Sequence, residues 1–259
     1  MPFTLVHPAA VLPLARSPLV PSALVAGAVA PDLPYYVPLQ WIGGDWNLTL
    51  THDVTSLLWL DPLIALVLLV AFHAVLKQPL VALAPPAVAR RVLRAADGFA
   101  WRGPVAAGWI VVSTVLGAAT HLAWDALDDA FGYGWSTRLN LVSDAVGGVA
   151  LLGWLWLWWR TTAQHPVPPG RSLPAGRRAR VLVGVALAAT AWTALRAVRT
   201  ASEVGADLRA YGGYSRSAVT EYVVRGAAVD AVTAVVVLLG LFAIGWRLGR
   251  ARNVVETPR

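Results

Sequence analysis

The sequence predicts an all-α polytopic membrane protein: about five spanning helices preceded by an N-terminal re-entrant or interfacial helical hairpin. Three observations carry this. Only 14% of the 259 residues are charged, against ~25% in soluble domains, while 57% are hydrophobic and the mean hydropathy is +0.60. Apolar runs recur at roughly 57–76, 104–126, 141–159, 181–198 and 227–246. Each is close to the ~20 residues with which a helix crosses ~30 Å of hydrocarbon. Finally, Lys and Arg alternate between the joining segments. Five lie in 77–103, five in 160–180 and four from Arg247 onward, against none in 31–56, one in 127–140 and three in 200–226. Under the positive-inside rule this places the C-terminus in the cytoplasm and the 127–140 loop outside.

The elements follow in order. Pro2–Ala30 is apolar but interrupted by Pro8, Pro13, Pro18 and Pro21, which predicts two short interfacial or re-entrant helices rather than a span. A cleaved signal peptide competes for "LVAGAVA", but no Lys or Arg precedes Arg16, so its basic n-region is missing. Asp61-Pro62 reads as an N-cap followed by proline at the first helical position. A span starting there is short unless 54–60 prolongs it. The later runs are of ordinary spanning length. "WLWLWWR" at 154–160 reads as an aromatic belt at a cytoplasmic helix end. "HPVPPGRSLPAGRR" reads as a flexible cytoplasmic loop and "YGGYSRS" as a loop on the other side. The chain is expected to be one integral membrane domain: an N-terminal segment (1–56), the bundle (57–246) and a cytoplasmic tail (247–259).

The net charge of +7 is a topology signal rather than a sign of nucleic-acid binding, which the distribution argues against. Cysteine is absent, which removes disulfides, thiolate ligands and a Cys nucleophile. There is no glycine-rich phosphate loop and no G-x-S-x-G elbow.

The titratable residues gather on one side of this topology. In "ATHLAWDALDD" (119–129) His121 and Asp125 are four apart, hence neighbours on one helix face at the outer end of the second span. Such groups are costly within a membrane segment and mark a site, a pathway or a paired structural contact. His52 in "LTHD" precedes the first span in the same compartment, and Asp32 in "APDLPYY" sits on a proline-stiffened turn. His7 in "FTLVHPAA" reaches the same surface if the N-terminal segment folds back. Imidazole and carboxylate together suit zinc, and also manganese, iron or nickel. A catalytic site leaves one position for water, whose pKa the ion lowers towards ~7. The plainer reading of His-x-x-x-Asp is a hydrogen-bonded pair at a helix end.

"PFTLVHPAAVLPL", "ALVAGAVAPDLPYY", "TH" at 51–52 and "GAATHLAWDAL" resemble the signature stretches of a bacterial membrane family, domain of unknown function 4184. That family is similar in motif order to the membrane-bound metal-dependent hydrolases, which are in turn distantly similar to zinc-dependent phospholipase C and P1-type nucleases. The resemblance covers about the first half of the chain and implies a metal site at His7, Asp32, His52, His121 and Asp125. It also has a departure. After Trp-Asp the family commonly continues Phe-Thr-His, whereas this chain reads Ala126-Leu127-Asp128-Asp129, so the third helix ligand is Asp129 or none.

Blander readings apply elsewhere. His73 is expected to be a packed or interface histidine and His165 an exposed one. Asp144 and Asp230 read as helix caps, with an orienting contact to a ligand histidine as the alternative. Arg196 and Arg199 read as snorkelling side chains, or as binders of an outer phosphate. Asp45 suggests no role. The expected function is metal-assisted hydrolysis of a phosphoester in a lipid or lipid-linked molecule, at an outward-facing site of a bacterial-type inner-membrane protein. Asp125 and Asp32 are the catalytic carboxylates and a divalent ion, zinc first, is the cofactor. Its partners are membrane lipids and such a substrate. The rivals are an ion- or proton-coupled transporter and a structural protein held by a His–Asp network.

Overall fold

In a computed structural model the chain is helical, with no strand among the described residues, which are 3–37, 48–99, 103–130 and 133–255. Side chains at 48–49, 128–129, 133–139 and 251–255 fall outside the description. Five helices are long and apolar enough to cross a membrane: Leu60–Leu83, Pro104–Leu127, Asn140–Thr161, Ala175–Ala210 and Arg216–Arg250. The residues form two compact units, Met1–Ala74 with Arg91–His165, and Val75–Arg90 with Pro166–Arg259.

The first unit begins with two 3-10 turns, Thr4–Ala9 and Leu12–Leu14, that follow the proline spacing. Helix α1 (Pro21–Val29) starts with proline at its first position, where the missing N–H is no loss. Short helices α2 (Leu33–Tyr36) and α3 (Leu48–Thr51) and a 3-10 turn, Val54–Leu58, lead into α4 (Leu60–Val70). Later in the chain come α5 (Lys77–Leu83), α6 (Pro86–Asp97), α7 (Pro104–Ala130) and α8 (Tyr133–Thr161).

Helix α1 is buried between α4 and α7, with Ala23, Leu24 and Ala28 wholly enclosed. Water cannot drive helix pairing inside a membrane, so small residues and close backbone contact must do so. Here they do. A methyl group on Gly27 would lie 2.2 Å from the Thr114 carbonyl oxygen, and one on Gly117 would lie 2.2 Å from that of Leu24. The backbones of α1 and α7 therefore touch where both lack a side chain. The orphan N–H at the start of α1 is met as well, since Val20 N–H donates to Ser113 Oγ at 2.9 Å.

Two expectations about caps change in this unit. Helix α4 begins at Leu60, and Asp61 lies inside its first turn without capping it. Its carboxylate instead accepts from Ser56 Oγ at 2.5 Å and is wholly buried. Asp144 lies well inside α8 and accepts from the Phe3 N–H at 2.6 Å, so it moors the N-terminal segment rather than a helix end.

The second unit is built on the hairpin of α9 (Ala175–Ala210) and α10 (Arg216–Val255). Both run far beyond the apolar stretches that announced them, because the flanking Arg, Glu and Ala residues are good helix formers. Asp230, expected as a cap, is interior to α10 and pairs with Arg196 of α9 at 3.3 Å. The turn between them carries Gly212 at φ +73°, a left-handed position suited to glycine. The first span also ends later than its apolar run suggested. A π-helical stretch, Ala71–Leu76, carries the helix on into α5 despite Pro79.

Candidate metal centre

Four separate segments deliver side chains to one buried point. His7 comes from the first 3-10 turn, Asp32 from the turn after α1, His52 from the end of α3, and His121 with Asp125 from one face of α7. His7 and His121 are wholly buried, Asp32 and Asp125 are 2% and 5% exposed, and the His52 side chain, at 13%, is the most open member. These are the five residues whose spacing and resemblance singled them out, and the structure brings all five together. Asp129, the sixth, has its side chain outside the described residues. His73 stands apart, stacked on Phe99 at 3.6 Å between ring centres, with Nε2 3.0 Å from Ser22 Oγ.

The donor atoms are evenly spaced. His121 Nε2 lies 3.4 Å from His52 Nε2, 3.4 Å from Asp125 Oδ2 and 3.5 Å from Asp32 Oδ1. His52 Nε2 lies 3.5 Å from Asp125 Oδ2 and 3.4 Å from Asp32 Oδ1. His7 joins through Nε2, 3.3 Å from Asp125 Oδ1, and stacks on the His121 ring at 3.8 Å. Two near-equilateral triangles of donors thus share the His52–His121 edge. A tetrahedral ion with bonds of ~2.1 Å would hold its ligand atoms about 3.4 Å apart. Within the cluster, His7–His121–Asp125 and Asp32–His52–His121 are each grouped closely enough to hold a metal ion.

Backbone chemistry explains how His121 is aimed. The last carbonyls of α1 lack helical partners, and in an apolar setting each must find one. Ala28 C=O accepts from His121 Nδ1 at 2.8 Å, which leaves the Nε2 lone pair facing the cluster. Thr51 Oγ1 donates to Pro31 C=O at 2.7 Å and so ties the His52 segment to the Asp32 turn. The Trp124 ring stands edge-on to His7 at 5.8 Å and closes that side.

The electrostatics agree with a shared cation. Burial opposes ionisation of Asp32, but the adjacent imidazoles of His121 and His52 outweigh it and hold the carboxyl well below the usual range. Asp125 Oδ2 and His7 Nδ1 are buried without a hydrogen-bond partner. Orphaned polar atoms of this kind are expensive, and a cation at the centre would satisfy Asp125 Oδ2. The donor set therefore fits a divalent ion.

Asp61 is the residue that reading from sequence missed. Wholly buried, it lies within electrostatic reach of His52 and His121, and its Oδ1 has no hydrogen-bond partner. The signal was available, an acid at the start of an apolar run, but capping is the commoner explanation of that pattern.

Residues 1–141 match the family described as Domain of unknown function (DUF4184), a stretch that contains every residue of the cluster. No curated protein and no solved structure matches the chain.

Proposed function

The chain belongs to the family described as Domain of unknown function (DUF4184), and on that footing we propose that it is a membrane-bound, metal-dependent hydrolase. The carrying observation is the convergence of three imidazoles and two carboxylates at one buried point of a predominantly apolar chain. The cation would be held by His52, His121, Asp32 and Asp125, with His7 beside Asp125. Zinc suits the donor types and the ~3.4 Å spacing, with manganese or iron as less favoured occupants. Bound there, a divalent ion supplies Lewis acidity and makes water a usable nucleophile near neutral pH.

The chain's own residues do the rest. His121 is held in one tautomer by Ala28, Asp32 and Asp125 balance the positive charge, and either carboxylate can orient the attacking water. The opening beside His52 is where a substrate group enters. A cluster at the end of a spanning helix is reachable by amphiphiles, which favours a phosphoester of a lipid or lipid-linked molecule. The charge asymmetry of the loops supports an orientation with this end outside a bacterial-type inner membrane and the C-terminus in the cytoplasm. Reporter fusions at Arg259 and in the 127–140 loop would then report opposite compartments, and one shared compartment would overturn that orientation.

The deciding experiment is elemental analysis of protein purified without chelator, paired with a phosphoester-hydrolysis assay on lipid substrates. Near-stoichiometric metal and turnover abolished by Asp125→Asn are expected. Wild-type protein that carries no metal, and takes up none on titration with zinc or manganese, ends this reading.

A further inference from the structure

Three arginines converge in the second unit, and none of them belongs to the metal cluster. A cavity of about 340 Å³ is lined by Gln78 of α5, Arg171 of the loop before α9, and Trp246, Arg247 and Arg250 of α10. Each guanidinium is held by a hydrogen bond. Arg171 Nη2 donates to Gln78 Oε1 at 2.6 Å, Arg247 Nε to Val75 C=O at 2.9 Å, and Arg250 Nη1 to Gly170 C=O at 3.1 Å. Arg250 also lies over the Trp246 ring, 4.8 Å from its centre. The Val75 bond has a local cause. A helical carbonyl accepts from the residue four ahead, which here is Pro79 and has no N–H. Arg247 therefore meets a backbone need with one of its five N–H groups and keeps the others.

Among the described residues, neither Arg247 nor Arg250 pairs with a carboxylate. Arg247 and Arg250, held at this cavity without a counter-charge among the described residues, repel one another, so the cavity favours an anion. The position identifies which. Trp246 ends the apolar run of α10 and Arg247 follows it, a tryptophan–arginine boundary at the level of lipid headgroups. Guanidinium forks match phosphate oxygens bidentately. We propose that this pocket binds the phosphodiester headgroup of an anionic phospholipid. The proposal is independent of the metal site and would survive its failure.

Native mass spectrometry of the full-length protein tests it, with phosphatidylglycerol, phosphatidylcholine and inorganic phosphate as probes. Retention of phosphatidylglycerol at least ~10-fold above phosphatidylcholine is expected, with millimolar phosphate unable to displace it. Arg250→Gln should lower that retention about tenfold. Arg247→Lys, which keeps the charge and a donor for Val75 but loses the fork, should lower it several-fold at unchanged thermal stability. Equal retention of both lipids, displacement by free phosphate, or undiminished retention in Arg250→Gln each overturns the proposal. So does an Arg247→Lys variant that loses stability but keeps its lipid.

Discussion

Helices α7 and α9 are nearly equal in mean hydropathy, 1.6 and 1.8 over their most apolar windows, yet 33% of the α7 window is buried against 6% for α9. The difference lies in what each helix meets. Helix α7 faces a short helix with no side chain at the crossing, so backbones touch and polar groups from four segments are drawn into the space beyond. Within its unit α9 pairs with α10, and Leu187, Trp192 and Val198 remain at least half exposed, a surface suited to lipid. Hydropathy sets membership in the membrane. Packing decides whether a helix can host a site.

The largest test of this contrast removes a ligand. His121→Ala should lose its metal, with affinity down more than ~100-fold, because even changes to residues that merely orient ligands cost ~10–100-fold. His73→Ala, whose ring packs on Phe99, should keep the metal in full. Elemental analysis of both variants checks this, and metal retained in His121→Ala would detach the cluster from any cation.

Next in size is the crossing itself. Gly27→Ala places a methyl group 2.2 Å from the Thr114 carbonyl and 3.0 Å from the Ala118 N, which are backbone atoms that cannot swing aside. A destabilisation of about 1–3 kcal/mol is expected, together with weakened metal binding, since α1 carries the carbonyl that aims His121. Gly184→Ala in α9 meets nothing within 4 Å. It should be neutral or stabilising by up to ~1 kcal/mol, the ordinary helical preference for alanine. Thermal unfolding in detergent separates the two, and equal effects would erase the distinction between the regions.

Acidification gives a graded test. Imidazole ligates only as the neutral base, so protons compete with the ion and metal content should fall progressively on acidification. Asp32 does not contribute to this release. Its carboxyl is held below the usual range, so it stays ionised as the metal leaves, and its part in stability is lost only at far lower pH. The far-UV spectrum and the α9–α10 hairpin should be unmoved between pH 7 and 5. Metal content unchanged at pH 5 would contradict imidazole ligation.

The smallest effect is expected in the hairpin. Asp230→Asn breaks the 3.3 Å pair with Arg196, whose side chain is 43% exposed. Partly exposed pairs contribute about 0–1 kcal/mol, so a shift in thermal midpoint of a few degrees at most, at unchanged metal content, is the outcome that fits.

What the sequence determined by itself was set by short-range physics. Scarce charge and runs of ~20 apolar residues require helices in a membrane, and the four-residue spacing of His121 and Asp125 puts them on one face whatever surrounds them. Prolines 8, 13, 18 and 21 announced a broken N-terminal segment, and the structure contains one. His7, Asp32 and His52 were legible as partners of that pair through topology and family resemblance, because no local rule links positions as far apart as 7 and 125. Their convergence depends on Gly27 meeting Gly117 and on Ala28 needing a donor. Tertiary structure alone decided that Asp61 is buried beside the histidines, that Asp144 moors Phe3, and that Asp230 answers Arg196. Each carboxylate sits near the start of an apolar run, where capping is the default reading, yet each binds a group the chain brings from elsewhere. In an apolar environment an unsatisfied polar atom costs more than a vacant cap, so a carboxylate goes to whichever donor the packing brings near.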